Sequence, residues 1–293
     1  MDIIIENSNL KVKANTHGGE MISLIGKKSN QEYIWRGLPF WWKIYCPTLF
    51  PVIGKVKGFK YKYDGKEYFM PEHGFASKAK FKLLNKLEDE VAFELKSNEE
   101  TEGIYPFKFS LITKYKLKDN KVIISFNVNN LDSKDMYFSI GSHPAFKCPM
   151  YGAEDSLEDY YIEFEKVENT SKMEINSNDF LTGNRIKYLE NSKSINISQE
   201  TFKDGTIILD NLKSNFIELK SKKHNRSIKV NFEKFKIFSI WAPDKDASFV
   251  CLEPWMGHAD YENFNGEIKD KEGVIMLKSN EQFNISYYIE INE

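Results

Sequence analysis

The sequence predicts an all-β fold, a large antiparallel β-sandwich with few short helices. Three observations predict it. The dominant hydrophobic period along the 293 residues is two, the period of a half-buried strand. Turn residues separate these runs at short intervals. No amphipathic helix of ordinary length lies between them, which points to a sandwich rather than an α/β fold.

In chain order, strands are expected over residues 3–6, 10–14, 20–25, 80–87 and 91–96. The clearest signal follows. Phe107, Phe109, Leu111, Thr113, Tyr115 and Leu117 alternate with mostly lysine and serine, and Asp119-Asn120 supplies a turn. Val122, Ile124, Phe126 and Val128 then alternate with Ser125, Asn127 and Asn129, so the two runs read as a long hairpin with one face buried. Further strands are expected over 136–140, 161–164, 206–209, 217–219, 227–232, 237–241, 249–252 and 274–277. A last alternating run carries Phe283, Ile285, Tyr287, Ile289 and Ile291. Residues 166–198, rich in Asn, Ser and Lys, read as an exposed excursion, and 259–264 as a short helical turn. No linker or internal repeat divides the chain, so one domain over 1–293 is expected.

With 41% hydrophobic and 14% aromatic residues, the chain can bury a large core. Its formal net charge of −2 carries no basic excess, so no nucleic-acid partner is expected. There is no run of about 18 apolar residues. The N-terminal stretch has an acidic second residue and a three-residue apolar run, unlike a signal peptide. No membrane association is therefore expected, and the cytoplasm is the expected location. Cys46, Cys148 and Cys251 lack C-x-x-C spacing, which fits a reducing compartment better than a disulfide framework. Only Arg36, Arg185 and Arg226 among the 41 basic residues are arginines. Guanidinium forks are the usual means of holding phosphate or carboxylate, so their scarcity tilts the expected substrate toward an uncharged one.

Nucleotide-binding glycine motifs and a G-x-S-x-G elbow are missing, so no cofactor is expected. Chemistry concentrates instead in three segments: Pro71-Glu72-His73-Gly74-Phe75-Ala76, Gly141-Ser142-His143-Pro144-Ala145-Phe146 and Leu252-Glu253-Pro254-Trp255. Two imidazoles and a carboxylate in apolar surroundings suit proton transfer near neutral pH. Period two places Glu253 on one strand face with Cys251 and Phe249, Val250 and Leu252 on the other, and Pro254 at the end of the ladder. Desolvation there would raise the carboxyl toward a useful range for a base, although this segment by itself reads more readily as a surface glutamate before a turn. Gly141 removes bulk beside His143, which is either a core histidine or one open to a ligand. His73 lies on a loop braced by proline and glycine, as a ligand contact or a solvated turn residue. His17 and His224 read as turn residues, the latter at a solvated hairpin tip. His73, His143 and Glu253 could hold a metal, but no short ligand spacing accompanies them and none is expected.

These segments resemble a known family. Ile34-Trp35-Arg36-Gly37, Trp41-Trp42 and Cys46-Pro47-Thr48-Leu49-Phe50-Pro51-Val52-Ile53-Gly54-Lys55 look like the N-terminal signature of aldose 1-epimerases (galactose mutarotase-like proteins), in particular their LacX-type branch. Asp64-Gly65-Lys66-Glu67-Tyr68, the three segments above and Lys271-Glu272-Gly273 continue it in order, over nearly the whole chain. The resemblance implies a β-sandwich of the galactose mutarotase type and interconversion of the anomers of a free aldose, without cofactor or metal. By matching position, His143 would be the general acid at the ring oxygen and Glu253 the general base at the anomeric hydroxyl. His73 would bind near the ring oxygen, and Lys55, Asp204, Trp255 and His258 would contact the sugar. Lys55, Ser77 and His258 replace arginines common in relatives, which puts substrate preference in question. Trp41, Trp42, Phe75, Trp241 or Trp255 could stack on a pyranose or simply pack the core. The expected partner is a small-molecule aldose, and a homodimer is compatible with the sequence. A sugar-binding protein without turnover, a hexose-6-phosphate mutarotase and a glycosidase are the competing readings.

Overall fold

The computed structural model describes residues 1–38, 42–150, 155–198, 200–243 and 248–293. Alternation of apolar and polar residues builds its largest sheet, of nine antiparallel strands. Their spatial order is Leu181–Asn196, Tyr160–Ile175, Phe216–Ser221, Ser227–Asn231, Gln282–Asn292, Lys121–Asn130, Phe109–Lys118, Glu90–Lys96 and Lys82–Lys86. The hairpin legible in the sequence is central, with Leu111 opposite Val128, Thr113 opposite Phe126 and Tyr115 opposite Ile124. All six side chains are buried, so these cross-strand pairs form the inner face.

A second sheet of six strands carries the chemistry. Ile207–Leu209, Ile237–Trp241, Phe249–Met256, Ile140–Ser142 and Thr48–Leu49 lie in that order, and Ala145–Lys147 also pairs with Phe249–Met256. One buried cluster joins the sheets, with Phe126, Val128 and Tyr287 from the first and Phe146, Phe238, Val250 and Leu252 from the second. The Tyr287 hydroxyl donates to Ser142 Oγ over 2.7 Å, satisfying a polar group inside this interface. A four-stranded sheet (Asp2–Glu6, Leu10–Asn15, Glu20–Gly26, Gln31–Glu32) is tied in by Tyr115, whose hydroxyl donates to Gly19 O over 2.8 Å and accepts from Met21 N over 3.1 Å. Among the described residues no helix is long and apolar enough to cross a membrane.

Three local expectations are corrected, and one short element went unmarked. Residues 166–198 are no loose excursion but most of a hairpin of two 16-residue strands, Tyr160–Ile175 and Leu181–Asn196. Its outer strand is largely exposed and its register shifts repeatedly, so no clean alternation marks it. Pro254 does not end its ladder, because the strand continues to Met256 and Pro254 faces Phe238. Leu252 N donates to Pro144 O, so the nitrogen of Pro254, two residues on, points to the same edge, where the turn around His143 interrupts pairing. Residues 259–264 form a turn and an isolated bridge rather than a helix. The short helix Glu99–Ile104, unmarked by any long periodic run, starts at Asn98, whose side chain accepts from Thr101 N over 2.9 Å.

Candidate active site

Phe249–Met256 is buried on both faces. Val250 and Leu252 enter the core between the sheets, while Glu253 and Trp255 line a hollow of about 650 Å³ on the other side. Glu253 is fully buried, and neither of its carboxylate oxygens has a hydrogen-bond partner among the described residues. His143 comes from the turn between Ile140–Ser142 and Ala145–Lys147, anchored by its own N–H on Pro47 O at 3.1 Å. Its Nε2 lies 3.3 Å from Glu253 Oε2. Trp42 lies over the imidazole with ring centroids 4.7 Å apart, and Trp241 meets it edge-on at 5.6 Å. Trp42 is itself held by the Trp35 indole N–H, which donates to its carbonyl over 2.8 Å.

Burial pushes the Glu253 carboxyl well above its usual range, and the neighbouring Trp255 indole opposes the rise only weakly because its N–H lies outside hydrogen-bond geometry. Burial, then the nearby His73, push the His143 imidazole well below its usual value. A carboxyl and an imidazole in contact share one proton over a broad pH range, and both distributions of that proton have the same net charge. Burial favours the uncharged distribution at rest, with the proton on Glu253.

His73 and Gly74 both adopt positive φ, 60° and 76°. A Cβ on Gly74 would sit 2.1 Å from Phe50 O, so only glycine fits. This turn brings His73 to the hollow with its ring centroid 5.5 Å from that of His143. The Gly54 N–H donates to His73 Nδ1 over 3.1 Å, which leaves the ring proton on Nε2. Burial, reinforced by Lys55, lowers this imidazole to about 4, so it is neutral at ordinary pH.

The structure thus brings His143, Glu253, His73 and Trp255 into one hollow, with Trp42 and Trp241 as further walls. Other expected contacts lie elsewhere. Lys55 stands at the rim, ion-paired to Asp179, and it is Asp179 that lines the hollow. Asp204 is exposed and sits 3.6 Å from Lys172 Nζ, away from the lining, whereas Thr206 two residues on takes part in it. His258 is buried with its Nδ1–H on Ala259 O at 2.7 Å, against Tyr261 and beside the Lys271–Asp260 ion pair, rather than in the hollow. Phe75 packs in the core against Phe50, Tyr105 and Phe109. Trp41 lies outside the described residues. Gly141 makes room for Trp255 and Ile53, which a Cβ would approach to 2.9 and 3.0 Å, and not for a ligand beside the imidazole. The tip around His224 is solvated as expected at Lys222, Lys223 and Asn225, but His224 itself is tucked beneath the turn, 3.2 Å from Tyr160 Oη and 3.5 Å from Asp155 Oδ2.

Sequence reasoning missed Glu72, Ile175, Asp179 and Ile208 in the lining. Asp179 and Ile175 come from the hairpin whose exposed outer strand hid it. Among the described residues, His143, Cys251 and Glu253 offer donor atoms within 4.8 Å of one another, a set that differs from the conceivable trio of His73, His143 and Glu253 by having Cys251.

The family model described as aldose 1-epimerase matches residues 1–286. The chain is 32% identical to the chromosomal protein LacX of Lactococcus lactis subsp. lactis, over 99% of each sequence. Among solved structures it is similar to a galactose mutarotase related enzyme from Lactobacillus acidophilus, with 31% identity, a TM-score of 0.95 and coverage of 100% of this chain and 98% of that one. A galactose mutarotase-like protein from Lactobacillus casei is similar at 30% identity and a TM-score of 0.92, with both chains covered completely.

Proposed function

Since the chain belongs to the aldose 1-epimerase family, we propose that it interconverts the α and β anomers of a free aldohexose by opening and reclosing the ring. The observation that carries this reading is the 3.3 Å contact between His143 Nε2 and Glu253 Oε2 on the floor of a hollow walled by three tryptophans.

The chemistry needs an acid at the ring oxygen and a base at the anomeric hydroxyl. Both oxygens hang from C1, so an acid and a base in mutual contact can reach both. Passage of the shared proton from Glu253 to His143 creates the carboxylate and imidazolium that the reaction uses. Sugar hydroxyls entering the hollow give the Glu253 oxygens the partners they lack and favour this charged distribution. The carboxylate then takes the O1 proton while His143 protonates O5, and the C1–O5 bond breaks to the aldehyde. Rotation about C1–C2 and the reverse transfers give the other anomer. His73 Nε2–H donates near the ring oxygen and holds it toward His143. Each proton transfer accounts for roughly 10²–10⁴ in rate. The tryptophans offer flat apolar surfaces to the C–H face of the ring.

The test is polarimetry on freshly dissolved α-D-glucose and α-D-galactose. Acceleration over buffer supports the reading. Sugar binding without acceleration would leave a binding protein on the same fold. A single domain over residues 1–293 acting in the cytoplasm is part of the proposal.

A further inference from the structure

The hollow has a second polar wall. Glu72 enters it from the turn that carries His73, and Asp179 from the tip of the long hairpin. Glu72 Oε1 lies 3.9 Å from His73 Nε2, beside the place where the sugar ring would sit. Lys55 Nζ is paired with the Asp179 carboxylate and lies 3.5 Å from Asn178 O. The Glu72 carboxyl is raised chiefly by burial, with Lys55 opposing and Asp179 adding, so the three groups share one field.

Both carboxylates are exposed, but the backbone that carries Asp179 is braced. Asn176 Oδ1 accepts from Asn178 N over 2.9 Å, and its Nδ2 donates to Glu262 Oε2 over 2.8 Å. Leu181 N donates to Asp260 O over 3.0 Å, and Asp260 N to Lys55 O over 2.9 Å. The hairpin tip, the segment after Met256 and Lys55 are thereby stitched into one frame. That the hollow takes a polar ligand at all is indicated separately by Glu253, fully buried with both oxygens unpartnered.

We propose that Asp179, positioned by Lys55 and flanked by Glu72, forms the subsite that recognises hydroxyl groups remote from the anomeric carbon and restricts the hollow to uncharged aldoses. The inference rests on the mutarotase reading of the same hollow. Carboxylates only accept hydrogen bonds, and each sugar hydroxyl brings a donor, so the match is charge-assisted. A phosphate brings acceptors and negative charge alone. It would face two carboxylates whose nearest cation, Lys55, is already engaged. The lining contains no arginine among the described residues, and its lysine is Lys78, which is exposed.

The experiment compares mutarotation of glucose and galactose with that of their 6-phosphates. The free sugars should be preferred at least tenfold in kcat/KM. Asp179→Asn should raise KM for the free sugars about tenfold to a hundredfold, the worth of a hydrogen bond to a charged group, while kcat and the pH profile move little. Lys55→Met should give the same KM rise, Lys55→Arg should restore it, and combining Lys55→Met with Asp179→Asn should add little to either. Glu72→Gln together with Asp179→Asn should narrow the preference against the 6-phosphate. A wild-type preference for the 6-phosphate, lost in Lys78→Met, would overturn the proposal, as would an unchanged KM in Asp179→Asn. If no aldose is turned over, the mutarotase reading fails by itself. Titration of tryptophan fluorescence with galactose then decides the subsite: weakened binding in Asp179→Asn upholds it, and unchanged or undetectable binding in both proteins overturns it.

Discussion

The backbone N–H of Gly54 holds Nδ1 of His73 as an acceptor at 3.1 Å. A main-chain group thereby dictates which imidazole nitrogen carries the proton, and it does so without charge. Because burial lowers this ring to about 4, it stays neutral above pH 5 and adds no limb to the pH profile there. His73→Asn should lower kcat/KM roughly tenfold to a hundredfold, through both kcat and KM, and leave the profile's shape intact. Steady-state polarimetry across pH checks it.

Glu253→Gln should reduce kcat by roughly 10²–10⁴ with sugar affinity largely kept, since the amide fills the same volume but cannot take the O1 proton. In the unaltered protein the acid limb marks uptake of a second proton by the His143–Glu253 pair, which comes only below the usual imidazole range because burial disfavours the imidazolium. The alkaline limb marks loss of the pair's last proton, above the usual carboxyl range because burial disfavours the carboxylate. The active window lies between. In Glu253→Gln only His143 still titrates, so the acid limb should vanish and the residual activity should fall as pH rises through the lowered His143 value. Normal turnover in that variant would remove Glu253 from the base role.

Gly74→Ala meets both a positive φ and a carbonyl oxygen 2.1 Å from the new Cβ. The turn must shift, and His73 with it. A loss of about 2 kcal/mol or more is expected, a drop of several degrees in Tm, with a fall in kcat/KM beyond that of misfolding. Thermal melts paired with kinetics on the folded fraction separate the two effects.

Glu20 lies buried with one oxygen accepting from Tyr45 N and Cys46 N, both over 2.7 Å, and burial raises its carboxyl to about 7. The folded protein therefore binds more protons than the unfolded chain between the ordinary carboxyl value and pH 7. Stability from this group is complete at lower pH and is lost as pH rises through 7, by about 3 kcal/mol. Glu20→Gln keeps the accepting oxygen, so it should flatten the loss and raise Tm at pH 8. Melting curves between pH 5 and 8 for both proteins decide it.

Strands that bury one face were legible because packing imposes alternation, and the face assigned to Glu253 followed from the same rule. What eluded it was set by tertiary placement. Asp179 sits on a hairpin whose outer strand packs against little, so nothing selected alternation there. His258 is five residues from Glu253, yet the chain reverses at Gly257, with φ of 125°, and turns it away from the hollow. Pro254 looked like a stop because the gap in pairing that accommodates it comes from a distant segment around Pro144. Asp204 matched by local pattern, but it lies exposed beside Lys172 of the neighbouring hairpin and outside the hollow.

Gln282–Asn292 pairs with Ser227–Asn231 on one side and Lys121–Asn130 on the other. Everything synthesised before it can make only two separate half-sheets, each with an open hydrogen-bonding edge. Emergence of this segment from the ribosome is therefore what joins the halves, and a nascent chain stalled before residue 282 should be the species most in need of a chaperone.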